Sequence, residues 1–155
     1  PDATAAFVPQ FLDAIAQEAA GVEHRDRLER RTRQAAALGD RLPGAVLRWA
    51  VAEGERVRGR FQARFAGFDA VLGPTLPCPP PPVGQLHGVG LVRALLRSLP
   101  MTAFTALANV TGLPAVSLPA GPSREGLPLG VQLSATGSDE GVLLGLVAGL
   151  EELSG

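Results

Sequence analysis

The apolar positions along this chain change their spacing several times, and each spacing predicts a different element. Between Phe7 and Ala19 they recur at three- and four-residue intervals, which predicts a helix that ends at Gly21. Residues 23–38 are rich in charged side chains and predict an exposed helix or a helical linker. A break is expected at residues 39–43, where Gly and Pro interrupt the pattern.

The clearest helical pattern covers residues 46–67 and the turn that follows. Its apolar face consists of Ala50, Gly54, Val57, Phe61, Phe65 and Phe68. We interpret this aromatic stripe as core, because burial of a Phe side chain contributes about 1.5–3 kcal/mol. The stripe could instead line a ligand pocket, and the sequence leaves that alternative open.

Three shorter runs predict strands. Residues 70–72 are apolar and stop at Gly73, which predicts a short buried strand. Residues 114–119 and 129–135 predict two more, joined by a turn rich in Gly, Pro and Ser at residues 120–127. Because so short a link favours a hairpin, we expect these two strands to be antiparallel neighbours.

Helices are also predicted around these strands, at residues 91–99, 102–110 and 139–152. In the last of them three glycines recur every four residues. They are Gly141, Gly145 and Gly149. A Gly inside a helix costs about 1 kcal/mol relative to Ala. We therefore expect this line of glycines to face a closely packed neighbouring element.

Residues 74–84 hold six of the fourteen prolines. Since Pro has no backbone N–H, this stretch cannot form the interior of a sheet, and we expect an extended segment on the surface or along a cleft. A polyproline ligand for a recognition domain is the alternative that the composition also allows.

Composition narrows the choice of partners. The chain of 155 residues has about the length of one domain, and its net charge of −1 gives no reason to expect nucleic acid or a membrane surface. The charge is uneven, since residues 23–64 hold eleven Arg against six acidic residues. A basic helical face of this kind could bind an anion or could be a solvated surface.

Few side chains suit metal or thiol chemistry. Cys78 is the only cysteine, which excludes an intrachain disulfide and favours a cytoplasmic location. His24 and His87 are the only histidines, and neither forms a metal-ligand spacing with Cys78. A thiol–imidazole pair of Cys78 and His87 is conceivable, although a single Cys in a Pro-rich loop is more often a small apolar filler. The longest apolar stretch, residues 142–150, is too short to cross a bilayer.

Two features concern the start of the chain and its basic residues. The chain begins with Pro1 and its only Met is Met101, so we expect it to be part of a longer or processed protein. All fourteen basic residues are Arg, and none is Lys. Since Arg keeps its proton at working pH, it cannot replace a Lys that acts as a base.

Two adjacent motifs carry a family resemblance. Residues 104–121 have the sequence FTALANVTGLPAVSLPAG, and residues 126–133 have the sequence GLPLGVQL. Together they closely resemble the C-terminal part of the amidase signature family, and the resemblance covers roughly residues 45–153. It implies an α/β fold, the C-terminal portion of an α/β/α sandwich with a mixed sheet flanked by helices. Residues 45–155 would form this part of the amidase domain, after a helical N-terminal segment at residues 1–44.

The resemblance also implies an activity. Enzymes of this family hydrolyse a carboxylic amide to a carboxylate and ammonia or an amine, through an acyl-serine intermediate formed by a Ser–cis-Ser–Lys triad. This chain has no Lys, so we expect no catalytic residue here, a triad supplied by a missing N-terminal half, and no cofactor or metal. A non-catalytic fragment or interaction module that keeps only the fold is the alternative.

Four residues are predicted to face the substrate cleft: Pro74, Thr75, Thr102 and Phe104. The tRNA-dependent amidotransferase branch of the family carries an acidic residue where this chain has Thr102, and a hydroxyl cannot neutralise an ammonium ion. The resemblance therefore favours a small-molecule, uncharged amide as substrate. The expected partners are this substrate and the missing half of the domain, whose absence would expose apolar surface and favour association, including a homodimer.

Overall fold

The computed structural model describes residues 3–154 and the side chains of residues 3–152. The helices in this range are α1 (Thr4–Ala20), α2 (Arg30–Gly39), α3 (Gly44–Arg64), α4 (Leu91–Ser98), α5 (Thr105–Thr111) and α6 (Glu140–Ser154). The strands are β1 (Ala70–Pro74), β2 (Ala115–Pro122) and β3 (Pro128–Ala135). Short 3₁₀ helices lie at Arg25–Arg27 and Leu99–Thr102. Each predicted helix and strand occurs, with two differences. Within residues 23–38 an α-helix begins only at Arg30, and the strand expected to be buried at residues 70–72 is not, since Leu72 is 64% exposed.

Three helices form the first layer of the molecule. Helix α1 packs on α3 and α5, and its first turns join them in one core cluster of Ala3, Ala6, Val57 and Val110. Gln10 Nε2 on α1 donates a hydrogen bond of 2.9 Å to the carbonyl oxygen of Ala50 on α3. These contacts cross the predicted boundary at residue 44, and the division into two segments stays a prediction.

The three strands form one sheet in the order β1–β3–β2, and both pairings are antiparallel. The predicted hairpin of β2 and β3 is therefore confirmed. Alternate residues of β3 point to opposite faces of the sheet. On one face Leu133 and Ala135 pack with Leu143 of α6. On the other face lie Gln132 and Ser134, toward the Phe side chains of α3. Helices thus flank the sheet on both sides, and the α/β class is confirmed.

Side-chain hydrogen bonds tie α3 to the end of the sheet. Gln62 Nε2 donates to the Thr136 carbonyl oxygen at 2.8 Å, and Arg58 donates to Ser138 Oγ at 2.6 Å. Elsewhere on α3, hydrogen bonds from Arg56 and Arg60 hold the pKa of Glu53 below its usual value. The Gln62 and Arg58 hydrogen bonds fix the orientation of α3 relative to the end of the sheet and so place the Phe side chains of α3.

The aromatic stripe of α3 is only partly core. Phe61 is 3% exposed, as predicted, but Phe65 is half-buried and Phe68 is 65% exposed. The prediction that all three are core was therefore wrong for Phe68 and too strong for Phe65. The reason is that α3 ends at Arg64, so helical periodicity no longer determines where the next side chains point.

The Phe61→Ala variant should lose about 3–5 kcal/mol of unfolding free energy, because truncation of a buried aromatic side chain leaves a cavity. The matched variant Phe68→Ala removes the same atoms from an exposed position, and surface substitutions usually change stability by about 0.5 kcal/mol or less. A urea titration followed by circular dichroism gives both values. Equal losses for the two variants would contradict this placement of Phe61.

The glycine line of α6 does not face a neighbour within the described residues, so that prediction was wrong. A Cβ atom added at Gly145 or Gly149 would meet nothing within 4 Å. The close approaches occur elsewhere, at Gly39 against Leu12 and Ala16 of α1, and at Gly54 against Val110 of α5. The spacing of glycines shows where a helix lacks side chains, but it does not show whether another element packs against those positions.

No single helix among the described residues is long and apolar enough to cross a bilayer. The bent pair of Leu91–Thr102 and Thr105–Thr111, which turns by 96°, satisfies the length and composition of a broken span.

Candidate functional site

Two clefts lie next to each other along the sheet and share Pro74 at the end of β1. The first, which we call the proline cleft, has a volume of about 460 Å³. It lies between the Pro-rich segment and the β2–β3 hairpin. Its lining residues are Pro74, Thr75, Leu76, Pro77, Cys78, Pro79, Pro80, Ser117, Ala120, Ser123, Leu127, Pro128, Leu129, Gly130 and Val131. The prediction that the Pro-rich segment lies at the surface and along a cleft agrees with this arrangement.

The second cleft, which we call the aromatic cleft, has a volume of about 440 Å³. It lies between α3, the start of α5 and the sheet. Its lining residues are Phe61, Phe65, Val71, Leu72, Gly73, Pro74, Ala103, Phe104, Leu107, Gln132 and Ser134. The rings of Phe61 and Phe65 have centroids 5.0 Å apart and are tilted by 56°. Both rings therefore lie along this cleft, while the alternative that the stripe lines a ligand pocket stays a prediction.

Polar side chains line the sheet face that both clefts share. Ser117 on β2 lies opposite Gln132 on β3, and residues directly opposite in a ladder share a face. Gln132 and Ser134 are buried, at 7% and 8% exposure, and Gln132 Nε2 donates to Ser134 Oγ at 3.1 Å. Because this hydrogen bond gives both polar side chains a partner, they can be buried at the floor of the aromatic cleft.

A second polar pair lies in the proline cleft. Thr75 Oγ1 and Ser117 Oγ are 2.6 Å apart, and either hydroxyl can be the donor. The Thr75 N–H also donates to the Gly130 carbonyl oxygen at 3.0 Å, which anchors the residue to β3. A Cβ atom added at Gly130 would lie 2.9 Å from Thr75 Oγ1 and 3.3 Å from Ser117 Oγ. Gly130 therefore leaves the space in which the two hydroxyls meet.

The four predicted cleft residues are not all together. Pro74 lines both clefts, Thr75 lines the proline cleft, and Phe104, 40% exposed, lines the aromatic cleft. Thr102 lines neither, and its Oγ1 donates to the Leu99 carbonyl oxygen at 2.9 Å. A role for any of the four in binding substrate stays a prediction.

Sequence reasoning missed the polar residues of the sheet face. The sequence pattern includes Ser117, Gln132 and Ser134 only as members of the predicted strands at residues 114–119 and 129–135. The signal that could have identified them is the alternation of β3, where Gln132 and Ser134 interrupt the apolar positions Val131, Leu133 and Ala135.

Neither cleft has a charged lining. None of the described residues that line them is Asp, Glu, Arg or His. Cys78 is a free, exposed thiol in the proline cleft, whereas His87 is not among the lining residues. No group of three or more His, Cys, Asp or Glu side chains in residues 3–154 is arranged to hold a metal ion. The arrangement offers hydrogen bonds and apolar contacts to an uncharged molecule.

Comparison with known proteins gives one consistent family. The family model named Amidase matches residues 6–144. The match begins well before residue 45, so the similarity extends further toward the N-terminus than the motifs alone indicate.

Individual relatives agree with the family match. A presumed amidase of Mycobacterium bovis, AmiB2, is 33% identical over 145 residues, which are 94% of this chain and 31% of that protein. Another from Mycobacterium tuberculosis, AmiA2, is 37% identical over 131 residues, 83% of this chain and 26% of that protein. The structure of 6-aminohexanoate cyclic dimer hydrolase matches with a TM-score of 0.74 and 31% identity, over 95% of this chain and 34% of that one. The chain thus spans about a third or less of the length of these relatives.

Proposed function

The chain belongs to the amidase family, and from this premise we propose that it is the C-terminal region of an enzyme that hydrolyses a carboxylic amide. The products are a carboxylate and ammonia or an amine. The observation that carries the proposal is the match over residues 6–144, together with a fold that matches 6-aminohexanoate cyclic dimer hydrolase along 95% of the chain.

The chemistry of the reaction assigns the catalytic groups to the rest of the protein. Amide hydrolysis needs a nucleophile, a base that takes its proton and donors for the oxyanion. We propose an acyl-serine intermediate and a Ser–cis-Ser–Lys triad contributed by the N-terminal half. The absence of Lys from residues 1–155 supports this division of roles. No step of the proposed reaction calls for a metal or cofactor.

The substrate is proposed to be an uncharged amide. A charged group in either cleft would gain no partner of opposite charge, because none of the described lining residues carries charge. Pro74, Thr75 and Phe104 are the predicted residues best placed to contact this substrate.

The N-terminal half of the amidase domain is the proposed partner. Exposed apolar side chains on α6, including Leu144 at 67% and Leu146 at 41%, support it, since a helix that is apolar all round is normally buried. Association of two copies through the same face is the competing outcome. The cytoplasmic location stays an expectation from the single cysteine.

Reconstitution tests the proposal. Residues 1–155 are produced together with the N-terminal part encoded upstream in the same reading frame, and ammonia release from benzamide and aliphatic amides is measured. We expect turnover that is lost when the Lys of the N-terminal part is replaced by Ala. An upstream frame without a Lys and a Gly/Ser-rich stretch would favour the alternative, a non-catalytic module that keeps only the fold.

A further inference from the structure

The Thr75–Ser117 hydroxyl pair has a hydrogen-bonding capacity that its own contact does not use. Each hydroxyl has one hydrogen to donate and two lone pairs to accept. At 2.6 Å, one hydroxyl donates to the other. Whichever is the donor, the second hydroxyl keeps its own hydrogen, and no other side-chain hydrogen bond of Thr75 or Ser117 occurs in the described chain.

The surroundings of this pair determine what could accept the remaining hydrogen. The pair lies in the proline cleft, whose described lining contains no charged side chain. Gly130 keeps the space beside both hydroxyls free of a Cβ atom. The pair is exposed to solvent, so a ligand acceptor would take the place of water on the remaining hydrogen. Because the described lining carries no positive charge, nothing there favours an anion over a neutral acceptor.

We propose that Thr75 and Ser117 form a specificity subsite that donates one hydrogen bond to a carbonyl oxygen of an uncharged amide substrate, separate from the reacting carbonyl, whose oxyanion donors belong to the N-terminal half. The proposal rests on the proposed function for the nature of the ligand, while the geometry of the pair stands independently. Three separate segments build the subsite: the end of β1, the middle of β2 and the start of β3. The bond also links β1 to β2 across β3, but this structural role consumes only one of the two hydrogens.

A pair of probes that differ in one acceptor atom isolates this hydrogen bond. Benzamide and thiobenzamide have nearly the same shape, but sulfur accepts hydrogen bonds more weakly than oxygen. We expect the 155-residue chain to bind benzamide about three- to tenfold more tightly, the amount that one neutral hydrogen bond contributes. An NMR titration of the chain measures both dissociation constants, and the Gly130 amide signal should be among those that shift.

Three variants separate the subsite from a structural role. Thr75→Val with Ser117→Ala removes both hydroxyls and should abolish the preference for benzamide. Thr75→Ser keeps the hydroxyl and should retain it. The control Thr32→Val makes the same Thr-to-Val change on α2, outside the proline cleft, and should also retain the preference for benzamide. A merely structural pair would change stability without changing the ratio between the two probes.

The outcomes are distinct for the subsite and for the enzyme. An unchanged ratio in the double variant, or no binding of benzamide to a folded chain, would overturn the subsite and leave the proposed amidase activity standing. Binding with the expected ratio supports the subsite even if the reconstituted protein fails to hydrolyse amides, which would count against the proposed function alone. Signals that shift only around Phe65 and Phe104 would place the probe in the aromatic cleft and overturn the subsite.

Discussion

Replacement of Gly54 by Val is expected to prevent the chain from reaching the fold described above. Gly54 is buried in the middle of α3 where this helix crosses α5. A Cβ atom at this position would lie 2.6 Å from the Val110 carbonyl oxygen, and a backbone atom cannot turn aside as a flexible side chain can. The helices would have to separate, which would open the core cluster that contains Val57 and Val110.

The magnitude follows from the cost of overpacking. Insertion of extra carbon into a well-packed core costs about 1–3 kcal/mol, and occasionally more. We expect Gly54→Ala to lose that amount in spite of the better helix propensity of Ala, and Gly54→Val, with two further methyl groups, to exceed it. Domains of this size have about 5–15 kcal/mol of stability in total, so the Val variant is expected to be largely unfolded.

Gly59 provides the matched control on the same helix. An added Cβ atom there meets nothing within 4 Å, so Gly59→Ala should gain up to about 1 kcal/mol from helix propensity. Circular dichroism during a urea titration measures all three variants. If Gly54→Ala proved as stable as Gly59→Ala, α3 and α5 could not approach each other as closely as described.

The sequence was sufficient to predict the local elements, because local spacing determines them. The helices and the β2–β3 hairpin follow from periodicity and from a short connection rich in turn residues. The prediction of a buried aromatic stripe was wrong beyond the point where the helix ends. Phe68 lies beyond the last residue of α3, so the 3.6-residue period no longer constrained it.

The candidate site was less predictable, since it depends on pairing between distant segments. Thr75 and Ser117 are separated by 42 positions and meet only because both β1 and β2 pair with β3. Nothing in the spacing of either segment specifies that register. Pro74, Thr75 and Phe104 were accessible only through family resemblance, and the same resemblance suggested Thr102, which lies outside both clefts.

The isolated chain is expected to show no turnover of simple aryl or alkyl amides. Its Ser and Thr hydroxyls are weak nucleophiles, and their activation requires a base within hydrogen-bonding reach. Among the described residues the Thr75 and Ser117 hydroxyls make side-chain hydrogen bonds only to each other. Every basic side chain besides the two histidines is an Arg that keeps its proton. Removal of a serine nucleophile or its base from a hydrolase costs on the order of 10⁶ in kcat, so the rate should fall below detection.

Cys78 is the residue that could contradict this expectation. It is exposed, free and located in the proline cleft, and a thiolate is a stronger nucleophile than a hydroxyl. However, no hydrogen bond joins it to His87 in the described chain, and His87 lies outside that cleft. The assay therefore compares ammonia release by the purified chain, by Cys78→Ala and by His87→Ala, each with and without the N-terminal half. Turnover by the purified chain that both substitutions abolish would replace the proposed division of roles with a thiol–imidazole mechanism. Activity that appears only with the N-terminal half, and that survives both substitutions, would place the reacting groups in the other part of the protein.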